Sequence, residues 1–125
     1  MRTALLLTLL TLLPMVAVAE PNRTDGDGWI TLGHGVSTAS PLQRIGVPTD
    51  QGRLRALRIE CSRGAPRIQR IFVEYSDHQT ERLTVDAHMK PEQWRAMALD
   101  GRRLVLSVTV VSDTDYPGAF VISGI

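Results

Sequence analysis

Arg103-Leu104-Val105-Leu106-Ser107-Val108-Thr109-Val110-Val111-Ser112 is the stretch that decides the fold class. Strict alternation puts Leu104, Leu106, Val108 and Val110 on one face, while Val105 and Val111 make the other face apolar as well. A strand that is apolar on both faces is central and covered on both sides. Moving upstream, Ile68 to Tyr75 alternates in the same way, with Ile71, Val73 and Tyr75 on the face expected to meet the core and Arg70, Phe72 and Glu74 opposite. Leu54 to Cys61 is almost as regular. Leu54 is out of phase with Leu57, Ile59 and Cys61, so a β-bulge near Arg55-Ala56 is needed to bury all four.

Further candidate strands are Trp29 to Leu32, Arg44 to Val47, Arg82 to Asp86, Trp94 to Leu99 and Ala119 to Ser123. Turn residues separate them: Gly33 and Gly35, Asp50 to Gly52, Gly64 to Pro66, Asp77 to Gln79, Asp100-Gly101 and Pro117-Gly118. The expected fold is an all-β, two-sheet β-sandwich of about seven to eight mostly antiparallel strands. One segment reads two ways. Pro91 at a first helical turn suits a short helix over Lys90 to Leu99, whereas the alternation of Arg95, Met97 and Leu99 suits a strand.

Residues 1–19 read as a cleaved signal peptide: Arg2 supplies the charge, Ala4 to Leu13 the apolar run, and Ala17-Val18-Ala19 the small-residue cleavage site. That run is shorter than the ~20 residues a membrane-spanning helix requires. The expectation is a periplasmic or secreted mature chain from Glu20, with 20–28 a polar lead-in and 29–125 a single domain. Taking 19 from 125 residues leaves 106, with 13 Lys plus Arg against 13 Asp plus Glu. Such a balance argues against a nucleic-acid coat. Cys61 is the only cysteine, which rules out an intramolecular disulfide, and its phase with Leu57 and Ile59 predicts a buried thiol.

With the strands placed, the chain resembles a family of small exported bacterial β-sandwich proteins known only as a domain of unknown function. The residues that carry the resemblance are Trp29-x-x-Leu32-Gly33, Ile45-x-Val47 and Gly52-x-Leu54-x-x-Leu57-x-Ile59. They continue through Ile71-x-Val73-x-Tyr75 and Leu99-Asp100-Gly101-Arg102-Arg103-Leu104 to Val121-x-x-Gly124. Pro41-Leu42-Gln43-Arg44 stands where that family often has an acidic pair, so no role of that pair carries over. The resemblance implies an exported β-sandwich and supplies no reaction, substrate or catalytic residue.

No G-x-S-x-G elbow, H-E-x-x-H, phosphate-cradling glycine loop or C-x-x-C pair occurs. His34, between Gly33 and Gly35, is expected on an exposed turn where its ring can reach a ligand. Asp113 and Asp115, like Asp25 and Asp27, place paired carboxylates in loops where calcium finds oxygen ligands, but without EF-hand spacing. No other cofactor is indicated. From Arg44 to Arg70 seven arginines face Asp50 and Glu60, a local charge of +5. A hairpin of the two flanking strands would place Arg58 and Arg70 on one solvent face, suited to phosphate or carboxylate groups. Trp94 and Tyr116 are the aromatics left for surface contacts, since Trp29, Tyr75 and Phe120 fall at core positions. The leading expectation is a monomeric, non-catalytic binding module for an envelope protein or an anionic envelope component, with no nucleic acid and no membrane span. Its alternative is a small hydrolase or metal-dependent enzyme using His34 and loop carboxylates.

Overall fold

The computed structural model describes residues 28–125, so the leader, the polar lead-in up to position 27, and the Asp25/Asp27 pair lie outside the described residues. Among the described residues seven strands follow one another: β1 (Ile30–Val36), β2 (Leu42–Gly46), β3 (Arg53–Gly64), β4 (Arg67–Tyr75), β5 (Thr80–His88), β6 (Trp94–Asp113) and β7 (Gly118–Gly124). A 3₁₀ turn, Thr49–Gln51, links β2 to β3. Every pairing is antiparallel, and the order across the sheet is β1-β7-β3-β6-β4-β5, with β2 also on β6. The all-β reading holds. Among the described residues no helix is long and apolar enough to cross a membrane.

β6 organises the network. Its first part pairs with β3, from Glu60↔Trp94 to Arg53↔Leu104, and its second part lies between β2 and β4. The stretches expected as two strands are thus one strand of 20 residues. The Asp100-Gly101 signal still has a local meaning: positions 99–102 of β6 stand opposite Arg55 alone, with Gly101 at φ 76°. That excursion, and not a chain reversal, is what the turn residues encode. Lys90 to Leu99 resolves as a turn at Pro91-Glu92 followed by strand from Trp94, and the Lys90 backbone N–H donates to Gln93 Oε1 at 2.8 Å.

The expected bulge in β3 is present, since register shifts between Leu54 and Ala56 and all of Leu54, Leu57, Ile59 and Cys61 are buried. Phase also changes in β6. Glu74 pairs with Ser107 but Tyr75 with Val105, which brings Val105 inward beside Val108 and Val110 and leaves Leu104 and Leu106 only half-buried. One core collects these residues with Ile45 of β2, Ile71, Val73 and Tyr75 of β4, Val85 of β5, and Phe120 and Ile122 of β7. Burial pushes the Cys61 thiol above its ordinary value, as expected of a sulfur with no water to stabilise its thiolate.

Side chains complete two seams where backbone pairing ends. At the first, Gln43 of β2 accepts from the Val36 backbone N–H at 3.0 Å and donates back to the Val36 carbonyl. At the second, Arg95 of β6 donates to the Val85 carbonyl of β5 at 3.1 Å, and Glu81 of β5 accepts from the Asp100 backbone N–H at 3.2 Å. These bonds satisfy edge groups that would otherwise template foreign strands.

Candidate functional site

His34 lies within β1, in register with Val121, and not on a turn. Its glycine neighbours answer to packing: a Cβ on Gly33 would sit 2.7 Å from Ile45 Cγ2, and one on Gly35 2.2 Å from Phe120 Cζ. The ring is exposed, and among the described residues it makes no hydrogen bond to a serine or aspartate. Asp113 Oδ1 accepts the Asp115 backbone N–H at 3.0 Å, which is the local turn bond aspartate commonly makes. Among the described residues no cluster of three or more His, Cys, Asp or Glu side chains is arranged to hold a metal ion.

Arg58 and Arg70 do not form the expected pair. β6 runs between β3 and β4, so these strands never pair as a hairpin and the expected shared face does not form. Arg58 instead stacks between two tryptophans, its guanidinium carbon 4.7 Å from the Trp29 ring centre and 5.7 Å from that of Trp94. Trp94 is 41% exposed, making this a surface aromatic cluster with Trp29 in it and not in the core. Tyr116 meets the edge of His88 at 5.0 Å and lies 6.0 Å under Arg67 at the far end of β4.

Arg70 has other companions. The register of β2, β6, β4 and β5 aligns Leu42, Val111, Arg70 and Thr84 in one outward row. The next row is Arg44, Thr109, Phe72 and Arg82, and the third ends in Ser107, Glu74 and Thr80. Three arginines therefore surround Phe72 in rows whose one carboxylate is Glu74, and Asp113, opposite Arg67, lies on the same face beyond the Arg70 row. Glu74 lies 3.7 Å from Arg44 and 3.7 Å from His78, and it accepts from Ser107 Oγ at 3.2 Å. Among the described residues Arg70 and Arg82 have no ion pair.

A groove of about 450 Å³ opens beside the β6 excursion, lined by Tyr75, Gln79, Thr80, Glu81, Ala98, Leu99, Asp100 and Arg103. Its polar groups are spent on one another. Tyr75 donates to Glu81 Oε1 at 2.5 Å, and Arg103 stacks 3.9 Å over the Tyr75 ring while donating to Asp77 Oδ2 at 2.9 Å and Gln79 Oε1 at 2.8 Å. Such a closed network ties the β4–β5 turn to β6 and leaves little for a ligand.

A family model described as a domain of unknown function, DUF2541, matches residues 4–120. The chain belongs to the DUF2541 family. No curated protein and no solved structure matches it. Family membership bears out the resemblance to a domain of unknown function and assigns no residue of this DUF2541 chain a role. Site residues must come from its own geometry. Arg44, Phe72 and Arg82 are not among the candidates that the sequence singles out, although Arg44 lies within the basic stretch. The signal that finds them is the alternation of β4 and β5, where Arg70, Phe72 and Arg82 are all outward.

The groove yields a pH expectation for the DUF2541 fold. Burial first, then the bond to the Glu81 carboxylate, raises the Tyr75 hydroxyl well above its ordinary value of 10.0. In the unfolded chain this tyrosine ionises near 10, whereas in the fold it stays neutral, so its contribution is complete below that pH and lost as pH rises through and beyond it. Cys61 acts in the same direction from about pH 9. Urea midpoints should fall steadily between pH 9 and 11, and Tyr75→Phe should flatten that fall; an unchanged slope would remove Tyr75 as its source.

Proposed function

We propose that this chain is an exported, non-catalytic binding domain of the cell envelope, which holds an anionic component on the outer face of β2, β6, β4 and β5. The observation that carries the reading is the grouping of Arg44, Arg70 and Arg82 around Phe72, with Glu74 as the one carboxylate in the three rows that hold them. In a mature chain with as many acids as bases, three arginines on one face are a local field that general solubility does not require. Guanidinium forks match phosphate and carboxylate oxygens in pairs, and an arginine stem can lie along apolar surface while its head stays in water.

Export is supported by the leader, whose apolar run falls wholly inside the stretch matched by the family model. The hydrolase alternative gains no support from His34, which lies on an exposed strand position and, among the described residues, makes no hydrogen bond to a serine or aspartate.

The test is salt elution of the purified mature protein from phosphocellulose. Wild type should elute at clearly higher salt than the double variant Arg70→Gln/Arg82→Gln, and Arg102→Gln, on the β6 excursion, should elute with wild type. Co-elution of all three would overturn the reading. Sequencing the N-terminus of the protein recovered from the periplasm or medium should give Glu20; retention of Met1 in a cytoplasmic fraction would remove export.

A further inference from the structure

The arginines on this face are too widely spread for one small anion, and their spacing defines the ligand more narrowly. Arg44, Thr109, Phe72 and Arg82 are successive cross-strand neighbours on β2, β6, β4 and β5. Adjacent strands are about 4.8 Å apart, so the backbones bearing Arg44 and Arg82 are separated by three spacings, roughly 14 Å. Arg70 stands opposite Thr84, two residues from Arg82, which makes Arg70 and Arg82 diagonal neighbours about 7–8 Å apart. Two arginines at that separation converge on one tetrahedral or planar anion. Arg44, across the sheet, addresses a second one.

Between these two positions the surface is Phe72 and Thr109, without a carboxylate. Glu74 lies in the next row and faces Arg44 at 3.7 Å, so it reduces the charge at the Arg44 end, while Arg70 and Arg82 have no ion pair among the described residues. Arg44 remains 64% exposed in spite of that contact. Phe72 is half-buried, with enough of its ring uncovered for the body of a ligand to rest on it.

Building on the anion-binding reading above, we infer that the face takes a polyanion laid across the strands. One phosphate-type group sits between Arg70 and Arg82, a second about 10 Å or more away sits at Arg44, and the connecting chain passes over Phe72. The ligand class is a phosphate-bearing polymer, not orthophosphate and not a lipid bilayer.

Binding is measured by titration of the mature protein with three probes: orthophosphate, long-chain polyphosphate, and phosphatidylcholine vesicles containing phosphatidylglycerol. Polyphosphate should bind at least about a hundredfold tighter than orthophosphate. Its log affinity should fall with log salt at a slope near −2, about what three arginine contacts to a flexible polyanion give. Arg44→Gln and Arg82→Gln should each weaken polyphosphate binding about tenfold, in line with the loss of one charge-assisted contact. Each should also lower the salt slope, and Arg102→Gln should change neither.

Orthophosphate binding as tightly as the polymer, or Arg44→Gln without effect, would overturn the two-position inference while leaving a single-anion site at Arg70 and Arg82. Tighter binding to the vesicles than to polyphosphate would overturn it in favour of a lipid surface. No binding to any probe would overturn the anion-binding reading itself.

Discussion

Gly118→Ala is expected to cost about 3–5 kcal/mol, enough to leave a chain of ordinary stability, roughly 5–15 kcal/mol, partly or wholly unfolded. Gly118 opens β7 opposite Gly64, the last residue of β3. A Cβ there would fall 2.3 Å from Pro66 Cδ, 2.7 Å from Pro66 N and 2.9 Å from the Arg63 carbonyl. Two of these three are backbone atoms, which no rotamer change can move away. The partner glycine is under the same constraint: Gly64 sits at φ 68°, and its own Cβ would meet the Pro117 carbonyl at 2.7 Å. Two strands and the Ala65-Pro66 link between β3 and β4 converge here, pinned by the Ala65 N–H to the Pro117 carbonyl at 3.0 Å. Urea unfolding monitored by circular dichroism checks this, and a loss below about 1 kcal/mol would show that the strand ends do not approach this closely.

Phe120→Ala should be nearly as damaging, at about 3–5 kcal/mol for a fully buried phenylalanine. The size depends on whether neighbours can collapse into the space. Gly35 lies flush against the ring from β1 and has no side chain to move in, so the cavity should persist near the top of that range. Phe120→Leu, which keeps most of the volume, should cost about 1–1.5 kcal/mol. Equal losses for the two variants would mean that ring shape, not volume, is what the site requires.

The strands are legible wherever one period governs the sequence. Ile71, Val73 and Tyr75 alternate without interruption and are all buried, and the phase error at Leu54 is enough by itself to locate the bulge in β3. Turn chemistry is a poorer guide where glycine serves another purpose. Gly33 and Gly35 read as a turn, but they are small because Ile45 and Phe120 press on β1 from other strands. Asp100-Gly101 looks like a reversal and is an excursion inside one strand, since β3 resumes its pairing with β6 on the far side.

The candidate site is less legible still. Local charge points to the right part of the chain, but partners on a sheet face are set by which strand lies beside which. Gly64 to Pro66 reads as a turn, but β3 and β4 both run antiparallel to β6, so the chain does not double back there and β6, synthesised later, lies between the two strands. Arg58 is thereby removed from the arginine group and Arg82 is added to it. No property of either residue alone encodes that exchange.

Strand order also dictates when this protein can begin to fold. β4 and β5 form the one pair made of consecutive strands; β1 has to wait for β7, β2 for β6, and β3 for both. A nascent chain that has not reached Trp94 can therefore assemble a single hairpin, which is marginal in water by itself. Contact order is high, so folding should be slow and should start only once the last quarter of the chain has been delivered. For a protein threaded through a translocation channel, as the proposed export requires, such a delay is useful. The N-terminal three-quarters stays extended enough to be passed through, and the C-terminal strands close the structure on the other side.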